Sequence, residues 1–180
     1  MSDPSAPVVY RASRRGLPAR EFHLEGPDGP LGVLALERGR GMVVGGRWSP
    51  HQGEVLTMRR DPGILRSQFS LWTDGREWLG SSLRADFVQR EIRLHTGSRP
   101  LRMLPLTGFR AGWVLQAPKS GDMARIHLGL LGGVDRIEIA RKVDQELLIF
   151  AYFLGLQLRL ESFWPGPIDA EERSAARLAG

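Results

Sequence analysis

Apolar and polar positions alternate along most of this chain in short runs, and nearly every run ends in a glycine-bearing turn. Glu21-Phe22-His23-Leu24 leads through Gly26-Pro27-Asp28-Gly29-Pro30 to Leu31-Gly32-Val33-Leu34-Ala35-Leu36. The same rhythm returns at Gln68 to Gly80, at Glu91 to Leu104 and at Gly112 to Leu128, and a longer-looped version runs from Met42 to Met58. A short alternating strand, a glycine turn and a returning strand together describe a β-hairpin. With Val8 to Ser13 at one end and Arg136 to Ala140 at the other, about a dozen strands are expected. No helical periodicity intervenes between them, so the strands form one antiparallel meander and not a parallel α/β sheet. A sheet of about twelve strands is large enough to curl and close, which removes its exposed edges.

Val143 to Ser162 breaks the pattern. From Leu147 to Leu158 almost every residue is apolar on all sides of a helical turn, so this helix has no wet face and must be enclosed. Its twelve-residue apolar stretch rises about 18 Å, against the about 30 Å and about 20 apolar residues that a bilayer core requires. It therefore reads as a buried core helix. Asp144 and Glu146 suit its positive end, Arg159 is placed in the last turn, and Pro165-Gly166-Pro167 stop it. Gln157, the uncharged polar residue within the run, is expected to hydrogen-bond to surrounding backbone. A closed barrel wider than eight strands leaves a central hole, and a helix about 10 Å across fills it. The expected fold is mainly β: an antiparallel closed barrel of about 12 strands around a central, buried, hydrophobic C-terminal helix, 143–162. The expected domain boundaries are a disordered N-terminus 1–7, a barrel domain 8–164 and an exposed or disordered tail 165–180.

The strand rhythm, units such as Phe22-His23-Leu24 through Asp28-Gly29, and Val134-Asp135 leading through Asp144-Gln145-Glu146-Leu147-Leu148 into Phe150-Ala151-Tyr152-Phe153 carry a resemblance to a known family. From about Tyr10 to Phe163 the chain resembles the Tubby C-terminal-like superfamily, which takes in Tubby, the phospholipid scramblases and the LURP-one-related proteins. The resemblance implies a twelve-stranded barrel around a central helix and a role in binding phosphoinositides or other phospholipids, or in moving lipid between leaflets. The scramblase-like members carry a proline-rich arm and cysteines for acylation, and these 180 residues show neither feature. Where those members have a carboxylate-rich segment before the last helix, Val134 to Val143 sets Asp135 and Glu138 against Arg136, Arg141 and Lys142, which argues against calcium.

Composition narrows the chemistry further. The chain of 180 residues carries a formal net charge of +5 and no cysteine, so disulfides and thiolate metal sites are absent. The positive excess is almost entirely arginine, because Lys119 and Lys142 are the only lysines. No block of like charge resembles a nucleic-acid tail, and no nucleic acid is expected. The most basic stretch holds Arg38, Arg40, Arg47, Arg59 and Arg60 against Glu54 alone. Planar guanidiniums suit phosphate oxygens, and Arg38 and Arg40, two apart on a strand, should share a face. Arg11, Arg14, Arg15 and Arg20 form a second, weaker patch. His23, His51, His95 and His127 are scattered without metal-ligand spacing, no G-x-S-x-G elbow occurs, and the glycines near Gly129 lack a phosphate-loop lysine. The expectation is a non-catalytic, cytoplasmic or membrane-peripheral binding module without cofactor or metal. Its barrel exterior would meet an anionic phospholipid headgroup or a protein partner. The alternative is a scramblase-like lipid transporter with the terminal helix in the bilayer.

Overall fold

A computed structural model describes residues 7–15, 20–39, 42–62, 68–84, 91–97, 100–106, 112–129 and 133–163. Arg40, Trp164, the Pro165-Gly166-Pro167 stop, the tail 165–180 and residues 1–6 of the N-terminus lie outside the described residues. In chain order the strands are β1 (Val8–Arg15), β2 (Glu21–Gly26), β3 (Gly29–Gly39), β4 (Met42–Pro50), β5 (Leu56–Arg60) and β6 (Phe69–Thr73). They continue as β7 (Trp78–Arg84), β8 (Ile92–His95), β9 (Leu101–Pro105), β10 (Gly112–Ala117), β11 (Gly121–His127) and β12 (Asp135–Ile139), and helix α1 (Gln145–Phe163) follows.

Each strand pairs antiparallel with the next, and β12 closes on β1 with Val8 opposite Ile139 and Ala12 opposite Asp135. The chain therefore forms a closed twelve-stranded barrel, as the alternation predicts. Period-two patterning sends Phe22 and Leu24, Leu56 and Met58, and Leu101 and Met103 inward, where all are buried. The partners that would alternate with them face out. Outward positions such as Glu21, Arg47, Arg93, Arg125 and Arg136 are charged and exposed, the reverse of the apolar band that a lipid-facing barrel presents.

Helix α1 occupies the axis. Every residue from Leu148 to Leu158, glycine included, is buried. Barrel and helix interlock where one side supplies a glycine. A Cβ at Gly46 of β4 would stand 2.8 Å from the Phe153 ring, and one at Gly155 of the helix would stand 3.0 Å from Trp113 of β10. Phe153 also meets Phe69 edge-on at 5.1 Å, and Tyr152 meets Phe22 at 6.0 Å. No helix among the described residues is long and apolar enough to cross a membrane.

The helix begins two residues later than expected, at Gln145, and the Asp144 carbonyl accepts the first helical bond from Leu148 N–H at 3.0 Å. It also runs to Phe163, which removes Arg159 from the last turn. That arginine bonds sideways into the barrel wall instead of to the terminal carbonyls. Gln157 also departs from expectation: it is buried, and its Nε2 has no hydrogen-bond partner.

Candidate functional site

The alternation of hairpins gives the barrel two rims. Odd-numbered strands end, and even-numbered strands begin, at the rim where the helix C-terminus emerges. Tight turns such as those at Asp28, Asp74 and Ser120 gather at the other. Three odd-numbered strands bring an arginine to the first rim on the inward face. Arg14 follows buried Ala12 by two residues and pairs with buried Phe22. Arg38 continues the inward series of Leu34 and Leu36 and stands opposite buried Val43. Arg60 continues that of Leu56 and Met58 and stands opposite buried Phe69. A fourth guanidinium, Arg159, comes from the helix.

Two carboxylates answer them. Asp135, wholly buried at the start of β12, accepts hydrogen bonds from the Tyr152 hydroxyl and the Gly129 N–H, each at 2.7 Å. The same carboxylate accepts from Arg14 Nη2 at 3.2 Å and Arg159 Nη1 at 3.5 Å, and Arg14 Nη2 also reaches the Gly129 carbonyl at 3.0 Å. On the opposite side of the helix, Glu161 accepts from Arg60 Nη2 at 2.8 Å, with the Arg60 guanidinium lying 5.2 Å over the Phe69 ring. These bonds tie helix to wall at both flanks and satisfy charges that would otherwise be costly to bury. Burial, reinforced by the neighbouring Asp135 charge, holds the Tyr152 hydroxyl well above the usual tyrosine range. Burial first, and then the nearby Arg14 charge, lowers Arg159 below the usual arginine value.

Several donors among the described residues at this rim lack an acceptor. The Nε–H groups of Arg14, Arg38 and Arg60 and the Gln157 amide are buried without a partner. Among the described residues the Arg38 side chain makes no ion pair at all, and neither does Arg59, whose side chain is exposed on the outer face. Beside them two apolar side chains stand out in solvent, Met42 and Val44, at 42% and 39% exposure. Val44 projects because β4 carries an extra residue there: Glu37 pairs with Gly45 but Arg38 pairs with Val43, leaving Val44 unmatched in a bulge.

The five arginines singled out from the sequence are thus divided. Arg38 and Arg60 face the barrel mouth, Arg59 lies on the outside of the same rim, and Arg40 is outside the described residues. Arg47 points outward from the middle of the wall and stands 3.7 Å from Asp74. The sequence pattern does not display Asp135, Tyr152 and Arg159 as a unit, and it shows Arg14 only within the second, weaker patch of Arg11, Arg14, Arg15 and Arg20. A signal was present in the parity of β1, where an inward Ala12 places Arg14 inward as well. Among the described residues no group of three or more histidine, aspartate or glutamate side chains is placed to hold a metal ion.

No protein-family model matches the chain, and no curated protein matches it by sequence. Among solved structures it is similar to an Arabidopsis thaliana protein known from X-ray crystallography, with a TM-score of 0.56 and 15% sequence identity. The match covers 88% of this chain and 96% of the plant protein. At that identity the likeness defines a shared fold and nothing finer.

Proposed function

We propose that this protein is a non-catalytic module that docks on anionic phospholipid surfaces with the rim at which its axial helix ends. The observation that carries this reading is the pairing, on one rim, of unpaired Arg38 and Arg59 with the exposed apolar side chains of Met42 and Val44. Arginine without a carboxylate partner keeps its donors for phosphate oxygens. Neighbouring apolar side chains lose solvent-exposed surface when they sink among acyl chains. The likeness to the Tubby C-terminal-like superfamily, whose members are associated with phospholipid binding, supports the same assignment, as does the barrel wound around a buried helix. Arg60, already bonded to Glu161, serves to hold the helix, so the phosphate contacts fall to Arg38 and Arg59. Arg47 lies too far down the wall to join them.

Co-sedimentation with phosphatidylcholine vesicles, with and without phosphatidylserine or a phosphoinositide, at two salt concentrations tests the proposal. Each arginine near an anionic surface contributes about 1 kcal/mol, so R38Q/R59Q should weaken binding about 30-fold and flatten its salt dependence. M42S/V44S should weaken binding while leaving the salt dependence intact. Equal sedimentation of R38Q/R59Q and wild type would remove this rim from consideration.

A further inference from the structure

The opposite rim holds a cavity of about 1090 Å³ that the lipid-docking rim does not involve. Three groups of residues wall it: the β10–β11 turn, Thr96 with Pro100 and Leu101 at the facing ends of β8 and β9, and the stretch that joins β12 to the helix. Ala140 N–H and Arg141 N–H both donate to the Met123 carbonyl, at 2.9 and 3.1 Å, and this clamp holds the joining stretch against β11. The floor is aliphatic, with Leu101, Met123, Val143 and Leu147. Lys119 and Lys142, the only lysines of the chain, both line the cavity. Neither has an ion-pair partner among the described residues, although Asp144 lines the same cavity.

We infer that this cavity is a binding site for a linear aliphatic monoanion, a fatty-acid-like carboxylate whose chain lies on Leu101, Met123, Val143 and Leu147 and whose head is held by Lys119 and Lys142. Three features select that class. The volume is that of a small-molecule cleft, and the described lining residues include no aromatic ring on which a nucleobase or flavin would stack. Among the described lining residues, two ammonium groups stand beside one carboxylate, a single net positive charge that favours a monoanion over a bisphosphate. An apolar floor beneath a charged lip matches an amphiphile, whereas a sugar would need polar partners along its whole length.

Isothermal titration of the full chain with acetate, hexanoate, octanoate and decanoate, all below their micellar concentrations, tests the assignment, with decyl maltoside as the uncharged comparison. Saturable 1:1 binding is expected, tightening up to about fourfold per added methylene. K119Q/K142Q should weaken decanoate binding about tenfold without shifting the melting temperature, because both side chains are exposed. Four results would each overturn the assignment: no saturable heat, affinity independent of chain length, decyl maltoside binding as tightly as decanoate, or loss of binding in R38Q/R59Q while K119Q/K142Q binds normally. This last result would move the carboxylate to the arginine rim. Vesicle sedimentation of K119Q/K142Q should match wild type, so the two sites fail or succeed independently.

Discussion

Replacing Asp135 with asparagine probes the bond set that fixes the helix inside the barrel. The change keeps the shape of the side chain and an acceptor for Gly129 N–H, but removes the charge that Arg14 and Arg159 share. Breaking a buried ion pair by deleting one partner costs about 3–5 kcal/mol. The Arg14 and Arg159 side chains keep 17% and 13% of their exposure, so water recovers part of the loss and the lower figure applies. For a chain of this size each kcal/mol moves the melting temperature by about 2–4 °C, so D135N should melt about 6–12 °C below wild type by circular dichroism. Tyr152→Phe removes a single charge-assisted hydrogen bond and should cost about 1.5–3 kcal/mol. Because both variants remove the charge-assisted hydrogen bond from Tyr152 to Asp135, the double variant should fall short of the summed losses by about 1 kcal/mol or more. D135N melting within about 2 °C of wild type, or strict additivity with Y152F, would refute the idea that this carboxylate fastens the helix.

Two further outcomes follow from the same geometry. Tyr152 holds its proton more tightly folded than unfolded, so its contribution is fully present below the unfolded tyrosine value of about 10. Above that pH the unfolded chain ionises first and stability falls by about 1.4 kcal/mol per pH unit; urea titrations at alkaline pH should show this slope reduced in Y152F. Gly46→Val would drive a branched side chain into the Phe153 ring and the Ala35 carbonyl, an overpacking cost of about 1–3 kcal/mol readable as a lowered urea midpoint, whereas Gly97→Ala, whose added methyl would meet no atom within 4 Å, should leave the midpoint unchanged.

Much of the architecture was legible in the chain itself. Alternation with period two and turns at regular spacing dictate antiparallel hairpins, because each strand has one apolar face to bury and the turns return it beside its neighbour. A helix apolar on every side dictates enclosure, because no orientation of it on a surface hides all its side chains from water. Those two local facts, taken together, demanded a closed barrel with a core helix, and the strand count and the axial position of the helix follow that demand.

Which arginines act together was decided only by the tertiary structure. Arg38, Arg59 and Arg60 are near one another in sequence, yet strand parity turns two inward and one outward, and the bulge at Val44 resets the register beside them. Arg14, Asp135, Tyr152 and Arg159 lie more than a hundred residues apart at their extremes and meet only because β12 closes on β1 around the helix. A buried charge is tolerated where the closed barrel delivers its partners from distant strands, and that delivery depends on stagger and closure, which no local pattern encodes. The same is true of Lys119 and Lys142: a turn and a helix entry, separate in the chain, share one cavity because the barrel places both at the same rim.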